Sequence, residues 1–124
     1  MSTLVTSNIS DGTTSVGTGY VVNGSAKMWC QASTAPAIND SLNVTSLTDV
    51  GTGKLVYNLT SSMANAVYAF NASAQLTTIS GTGCFAMNPL VTSNTTSTCR
   101  SDFYENGIAS DGANWIASIN GDLA

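Results

Sequence analysis

The stretch that decides the fold is Leu47-Thr48-Asp49-Val50-Gly51-Thr52-Gly53-Lys54-Leu55-Val56-Tyr57-Asn58-Leu59-Thr60. Gly51 and Gly53 flank a single residue, a spacing that suits a tight turn, because glycine takes positive φ without a Cβ clash. Beyond the turn, Leu55, Tyr57 and Leu59 alternate with Lys54, Val56 and Asn58. A period of two is the pattern of a strand with one buried face. Ser41 to Thr48 and Lys54 to Thr60 are therefore expected to form a β-hairpin.

The same reading extends in both directions. Leu4 to Ile9 is an expected first strand, followed by the Asp11-Gly12 turn and a flexible tract, Thr13 to Gly19. Tyr20-Val21-Val22 is an expected strand leading to Asn23-Gly24, a pair that favours hairpin turns. Ala26 to Ala32 is a strand with Ala26, Met28 and Cys30 on one face and Lys27, Trp29 and Gln31 on the other. Ser33 to Ala37 is a loop, since Pro36 cannot donate to a ladder. Ser61 to Asn65 forms a longer connection, and Ala66 to Ala72 a strand with Tyr68 and Phe70 sharing a face. Leu76 to Ser80, Cys84 to Met87, Thr98 to Tyr104 and Ala113 to Ile119 complete the set. Gly81-Thr82-Gly83, Asn106-Gly107 and Asp111-Gly112 supply turns. No segment carries a sustained helical period. Short strands at regular spacing with glycine turns predict an all-β chain, an antiparallel β-sandwich or jelly-roll-like domain. The expected organisation is an N-terminal arm, residues 1–19, and a single body, residues 20–124.

Composition narrows the function. The chain has 124 residues, of which 43% are apolar and 8% charged. An average soluble domain carries about 25% charged residues. Ser, Thr and Asn fill roughly a third of the chain, so its polarity rests on hydroxyls and amides. The net charge is −4, with only Lys27, Lys54 and Arg100 positive. That balance offers no basic patch for nucleic acid. No apolar run is long enough to span a membrane, and Met1-Ser2-Thr3-Leu4 lacks the opening of a signal peptide. A soluble protein made in a cytoplasm is expected.

Candidate chemistry is sparse. There is no histidine and no Cys-x-x-Cys, so a zinc site has no support, and no cofactor is expected. Asp11, Asp49 and Asp111 fall in glycine turns, where Asp caps its own backbone. Asp102 and Glu105 are near in sequence, yet Ser101 to Gly107 offers too few oxygen ligands for a calcium loop. No Gly-x-Ser-x-Gly elbow occurs, and no enzyme is expected. Asn-x-Ser/Thr sequons at Asn8, Asn23, Asn43, Asn58, Asn71 and Asn94 follow from the composition. Cys30 sits in an apolar run and reads as a buried thiol. Cys84 and Cys99 are a possible disulfide if their segments pair, although assembly in a reducing compartment favours free thiols. Tyr20, Trp29, Tyr104 and Trp115 are the candidate subunit-interface or ligand-facing aromatics. Trp29 is singled out, because it lies on the strand face opposite Met28 and Cys30.

Two runs carry a resemblance: Asn23-Gly24-Ser25-Ala26-Lys27-Met28-Trp29-Cys30, and Asp40 to Asp49 with Gly51-Thr52-Gly53. Together with Ser61-Ser62-Met63-Ala64-Asn65-Ala66-Val67-Tyr68-Ala69 and the closing Gly121-Asp122, they resemble small β-rich virion proteins of tailed bacteriophages. The likeness is to proteins of marine and freshwater phages, including cyanophages, and to capsid decoration and tail-fibre tip domains. It covers the first half of the chain better than the second. It implies a non-enzymatic homotrimer on the virion, assembled in the host bacterial cytoplasm, with an extended N-terminal arm exchanged between subunits. The expected role is capsid decoration, or cement, with the major capsid protein as partner. The alternative is a tail-fibre or head-fibre tip, partnered by other tail proteins and binding host surface glycans.

Overall fold

The computed structural model describes residues 2–33, 35–75, 84–87 and 94–124, the third of these as backbone. The alternating stretches become strands wherever a neighbouring strand can satisfy their backbone groups. In chain order they are β1 (Asn8–Ser10), β2 (Ser15–Gly17), β3 (Ala26–Ser33), β4 (Ile38–Leu42), β5 (Val44–Gly51), β6 (Lys54–Leu59), β7 (Ala69–Gln75), β8 (Cys84–Met87), β9 (Thr98–Glu105), β10 (Ile108–Ala109) and β11 (Asn114–Asn120). One helix, α1 (Thr18–Gly24), lies between β2 and β3.

All pairings are antiparallel. β1 and β2 form a two-stranded ribbon; of the two larger sheets, one has the order β4-β3-β11-β7 and the other runs β5-β6-β9, with both β8 and β10 paired to β9. Apart from Met63, in the connection after β6, the buried apolar residues come from the facing sides of these two larger sheets. Met28, Cys30, Ala32, Trp115, Ala117 and Ile119 project from the four-stranded sheet. Leu55, Tyr57, Leu59, Cys99 and Phe103 project from the other. Two aromatic pairs cross between the sheets: Tyr57 with Phe70, centroids 6.4 Å apart, and Phe103 with Trp115, 6.0 Å apart and edge-to-face. Tilted and edge-to-face pairs suit the ring quadrupole and add to plain burial. The Tyr57 hydroxyl is satisfied inside the core by Ser101 Oγ at 3.2 Å.

Several expectations change in the structure. Tyr20-Val21-Val22 is helical, not a strand. Among the described residues no strand pairs with it, and its backbone bonds locally, with Ser25 N donating to Val21 O at 3.1 Å. A seven-residue helix with no buried side chain leaves no period to read in the sequence. The Asn23-Gly24 pair closes that helix and makes no hairpin. The first strand is shorter than expected, three residues from Asn8, and leaves Leu4 and Val5 outside it. The expected strand Ser41 to Thr48 is two strands in two sheets. The break is Asn43, whose φ of 59° turns the chain through the left-handed region, which Asn tolerates better than most residues. Its side chain locks the corner: Nδ2 donates to Lys27 O (3.0 Å) and Ser61 O (3.1 Å), and Oδ1 accepts from Ser61 N (2.6 Å).

The glycine turn does more than reverse the chain. Gly53 has φ +70°, and a Cβ there would sit 2.5 Å from Phe103 O and 2.9 Å from Ser110 N. Phe103 N donates to Gly53 O at 2.7 Å, and Gly53 N donates to Asp111 Oδ1 at 2.6 Å. The hairpin tip is thereby docked onto β9 and the loop that follows β10. The expected strand Leu76 to Ser80 and the Gly81-Thr82-Gly83 turn lie outside the described residues.

Candidate functional site

The four singled-out aromatics lie in four environments. Trp115, on β11, is 4% exposed and packs into the core against Phe103. Alternation of Trp115, Ala117 and Ile119 puts it on the inward face, which removes it as a ligand-facing residue. Tyr104 is half-buried on β9, opposite Phe85 of β8 and Ala109 of β10. Tyr20 is 81% exposed on α1. Trp29 is 38% exposed on the outer face of β3, as its strand alternation predicts. The structure therefore does not gather these rings into one sugar-stacking site.

Trp29 instead has apolar neighbours that sequence reading did not single out. Across the ladder it faces Leu42 of β4 on one side and Ser118 of β11 on the other. Ile116 pairs with Gln31, so it lies diagonal to Trp29 on the same outer face, within reach of a long side chain. Leu42, Trp29 and Ile116 are all large, apolar and exposed. They form a stripe across three adjacent strands of the four-stranded sheet. The signal was present: alternation that buries Trp115 and Ala117 must turn Ile116 outward. A concavity of about 380 Å³, bordered by Lys27, Leu42, Asn43, Thr60, Ser61 and Leu123, continues the stripe at one end.

The second exposed apolar feature is the N-terminal segment, the expected arm of residues 1–19 together with α1. From Ser2 to Gly24 every described residue is exposed except Gly17 and Thr18, which are half-buried. Leu4, Val5, Ile9, Val16, Tyr20, Val21 and Val22 all present apolar side chains to solvent. Local polar bonds hold its shape. Asp11 Oδ1 accepts from Thr13 N (2.9 Å) and Thr14 N (2.7 Å), which holds its carboxyl below the ordinary range. Thr18 Oγ1 donates to Thr6 O (2.9 Å). Hydrogen bonds between arm and body gather at the junction. Asn120 Nδ2 donates to Gly24 O (2.9 Å), and the Lys27 ammonium donates to Val22 O and Ser25 Oγ.

The titratable groups make a structural set. Arg100 Nε and Nη2 each donate to a carboxylate oxygen of Asp102 at 2.6 Å. The pair is two residues apart on one strand, so both side chains share a face. The carboxylate raises the Arg100 pKa. Asp102 and Glu105 are three apart on β9 and point to opposite faces, so they do not act together. Among the described residues no group of three His, Cys, Asp or Glu side chains is placed to hold a metal ion.

Cys30 and Cys99 are free and buried, and loss of solvent pushes their thiols up to about 11 and about 12. The possible Cys84–Cys99 bridge is corrected by the strand register. Cys84 pairs with Glu105 at one end of β9, while Cys99 pairs with Tyr57 near the other. Six strand residues separate those positions, about 20 Å at the rise of an antiparallel strand, well beyond disulfide reach.

Comparison with protein-family models, with curated proteins and with solved structures finds no match to this chain. Within the described residues, no helix is long and apolar enough to cross a membrane.

Proposed function

We propose that this chain is a non-enzymatic structural protein of a tailed-phage virion, a homotrimer that decorates the capsid as a cement protein. The observation that carries the reading is the pairing of an apolar, unburied arm with a low-charge β-sandwich. The apolar side chains of this segment, Leu4, Val5, Ile9 and Tyr20 among them, are exposed, and such a segment is suited to reaching neighbouring subunits. A surface with 8% charged residues binds through shape, hydroxyls, amides and apolar contact, interactions that salt screens little. The sequence resemblance to phage virion proteins supplies the setting, and the major capsid protein is the proposed partner.

A second reading has one observation in its favour. Tyr20 borders an open concavity of about 640 Å³ with Gly17, Gly19, Asn23 and Gly24. An exposed tyrosine beside a glycine-rich hollow offers a sugar platform for a fibre tip on host glycans. Quantitative mass spectrometry of purified virions separates the two. A fixed, high copy ratio to the major capsid protein supports decoration. A handful of copies per particle moves the protein to the tail or fibres, and absence from the particle refutes both.

A further inference from the structure

Three Asn-Gly pairs occur in the chain: Asn23-Gly24, Asn106-Gly107 and Asn120-Gly121. This dipeptide is prone to lose its side-chain amide, because glycine puts no Cβ in the way of its own backbone nitrogen. That nitrogen can reach the preceding Cγ, provided the peptide swings out of regular structure. The fold treats the three pairs differently. Asn120 is paired on both sides, with Ala26 of β3 and Ala69 of β7. A Cβ on Gly121 would lie 2.9 Å from Tyr68 Cβ, so that peptide has no room to swing. The Asn23-Gly24 peptide ends α1, where Asn120 holds Gly24 O and Lys27 holds Val22 O. Asn106-Gly107 is instead a two-residue turn between β9 and β10, since Glu105 pairs with Ile108. Both residues are exposed, with φ of 53° and 79°. No atom lies within 4 Å of a Cβ placed on Gly107. β10 is two residues long and, among the described residues, pairs only with β9, so this end opens at the loss of few bonds.

We propose that Asn106-Gly107 is a site of spontaneous deamidation, and that the isoaspartate formed there loosens the docked β5–β6 turn. The Gly107 nitrogen gives its proton to solvent base and bonds to Asn106 Cγ. The bond from Cγ to the side-chain nitrogen breaks, ammonia leaves, and a cyclic imide remains. Water then adds to one of the two imide carbonyls. Opening at the original backbone carbonyl leaves the chain running through Cβ and Cγ, an isoaspartate with one extra main-chain carbon. Opening at Cγ gives aspartate. Turn length fixes hairpin register, so the extra atom displaces Ile108 from Glu105. Beyond β10, Ser110 N donates to Phe103 O (3.2 Å) and Asp111 Oδ1 accepts from Gly53 N (2.6 Å), and both bonds depend on that register. Aspartate keeps the chain length and tolerates left-handed backbone, so it leaves the docking intact. The site stands independently of the virion role.

Peptide mapping by mass spectrometry tests it on the full-length chain held folded in mildly alkaline buffer, with a guanidinium-unfolded sample alongside. Labelling by isoaspartyl methyltransferase counts the isoaspartate. Unfolded, the three pairs should convert at similar rates. Folded, Asn106 should convert several-fold faster than Asn23 and Asn120. Gly107→Asn, whose side chain crowds the attacking nitrogen, should slow the reaction at Asn106 several-fold. Ion exchange isolates the converted chains, which carry one more negative charge than the parent's net −4. Their isoaspartate form should show a lower urea midpoint than the parent, whereas Asn106→Asp should match it. Equal folded rates at the three pairs, or a lead by Asn23 or Asn120, overturns the proposal. So does an isoaspartate form with the midpoint of Asn106→Asp, because the docked turn would then not feel the extra atom.

Discussion

At the scale of single residues, what a position tolerates is set by what lies within a few ångströms of it. Gly53 and Gly107 both have positive φ, yet only Gly53 faces backbone at contact distance. Gly53→Ala must pay left-handed strain and also push Phe103 and Ser110 apart, a loss of at least ~2 kcal/mol. Gly107 has open space around its Cβ position, so Gly107→Asn, which accepts left-handed backbone, should change the urea midpoint little. Equal effects at the two sites would refute the docked-turn account. Arg100 and Asp102 invite a second test. Asp102 is 2% exposed and its charge is answered bidentately by Arg100. Arg100→Met strands a buried carboxylate and should cost about 2–4 kcal/mol, whereas Arg100→Met with Asp102→Leu should recover most of it. A double variant no better than the single would show that the pair supports the fold in some other way.

At the scale of elements, the corner at Asn43 shows how one side chain assigns strands to sheets. Its amide bonds join the end of β4, the start of β3 and the chain leaving β6. Asn43→Ala removes three hydrogen bonds and puts Ala in the left-handed region, an expected loss of about 3 kcal/mol measured by chemical denaturation. Asn43→Asp keeps the acceptor to Ser61 N and should lie between the two; a neutral Asn43→Ala would refute the corner's role. This corner also marks where sequence reading stops. The faces of β3, β6 and β11 were legible, because alternation of large apolar and polar residues survives in each. The split of β4 from β5 was not, since Leu42-Asn43-Val44 keeps an apolar alternation straight through the turn. Helix α1 was equally hidden: with no buried face it leaves no 3.6-residue period. The Trp29 face was read correctly from alternation, but its neighbours Leu42 and Ile116 depend on register, which the sequence does not state. The burial of Trp115 was not legible from alternation alone, because whether a strand's aromatic face is core or surface depends on the sheet opposite.

At the scale of the whole molecule, the two sheets are held together by a core that contains ionisable groups in their neutral forms. Cys30 and Cys99 come from opposite sheets, and Tyr57 and Tyr68 lie near Cys99. Burial raises all four above their ordinary values, the thiols from 9.0 to about 11 and about 12. Once the unfolded chain begins to lose its thiol protons, the folded chain still holds them. The folded state then binds more protons than the unfolded state, so stability falls as pH rises. Each thiol contributes a slope approaching ~1.4 kcal/mol per pH unit in that window. Below the ordinary thiol value the slope from these groups vanishes. The urea midpoint should therefore be flat from neutral pH to about pH 9 and decline above it, as the tyrosines add their share. Cys99→Ala removes one of the titrating groups and should make the decline shallower, even if it lowers the midpoint at neutral pH by opening a small cavity. A wild-type midpoint that stays level up to the folded thiol values would mean that alkali reaches these groups without unfolding the sandwich, and that the two sheets are not closed over them.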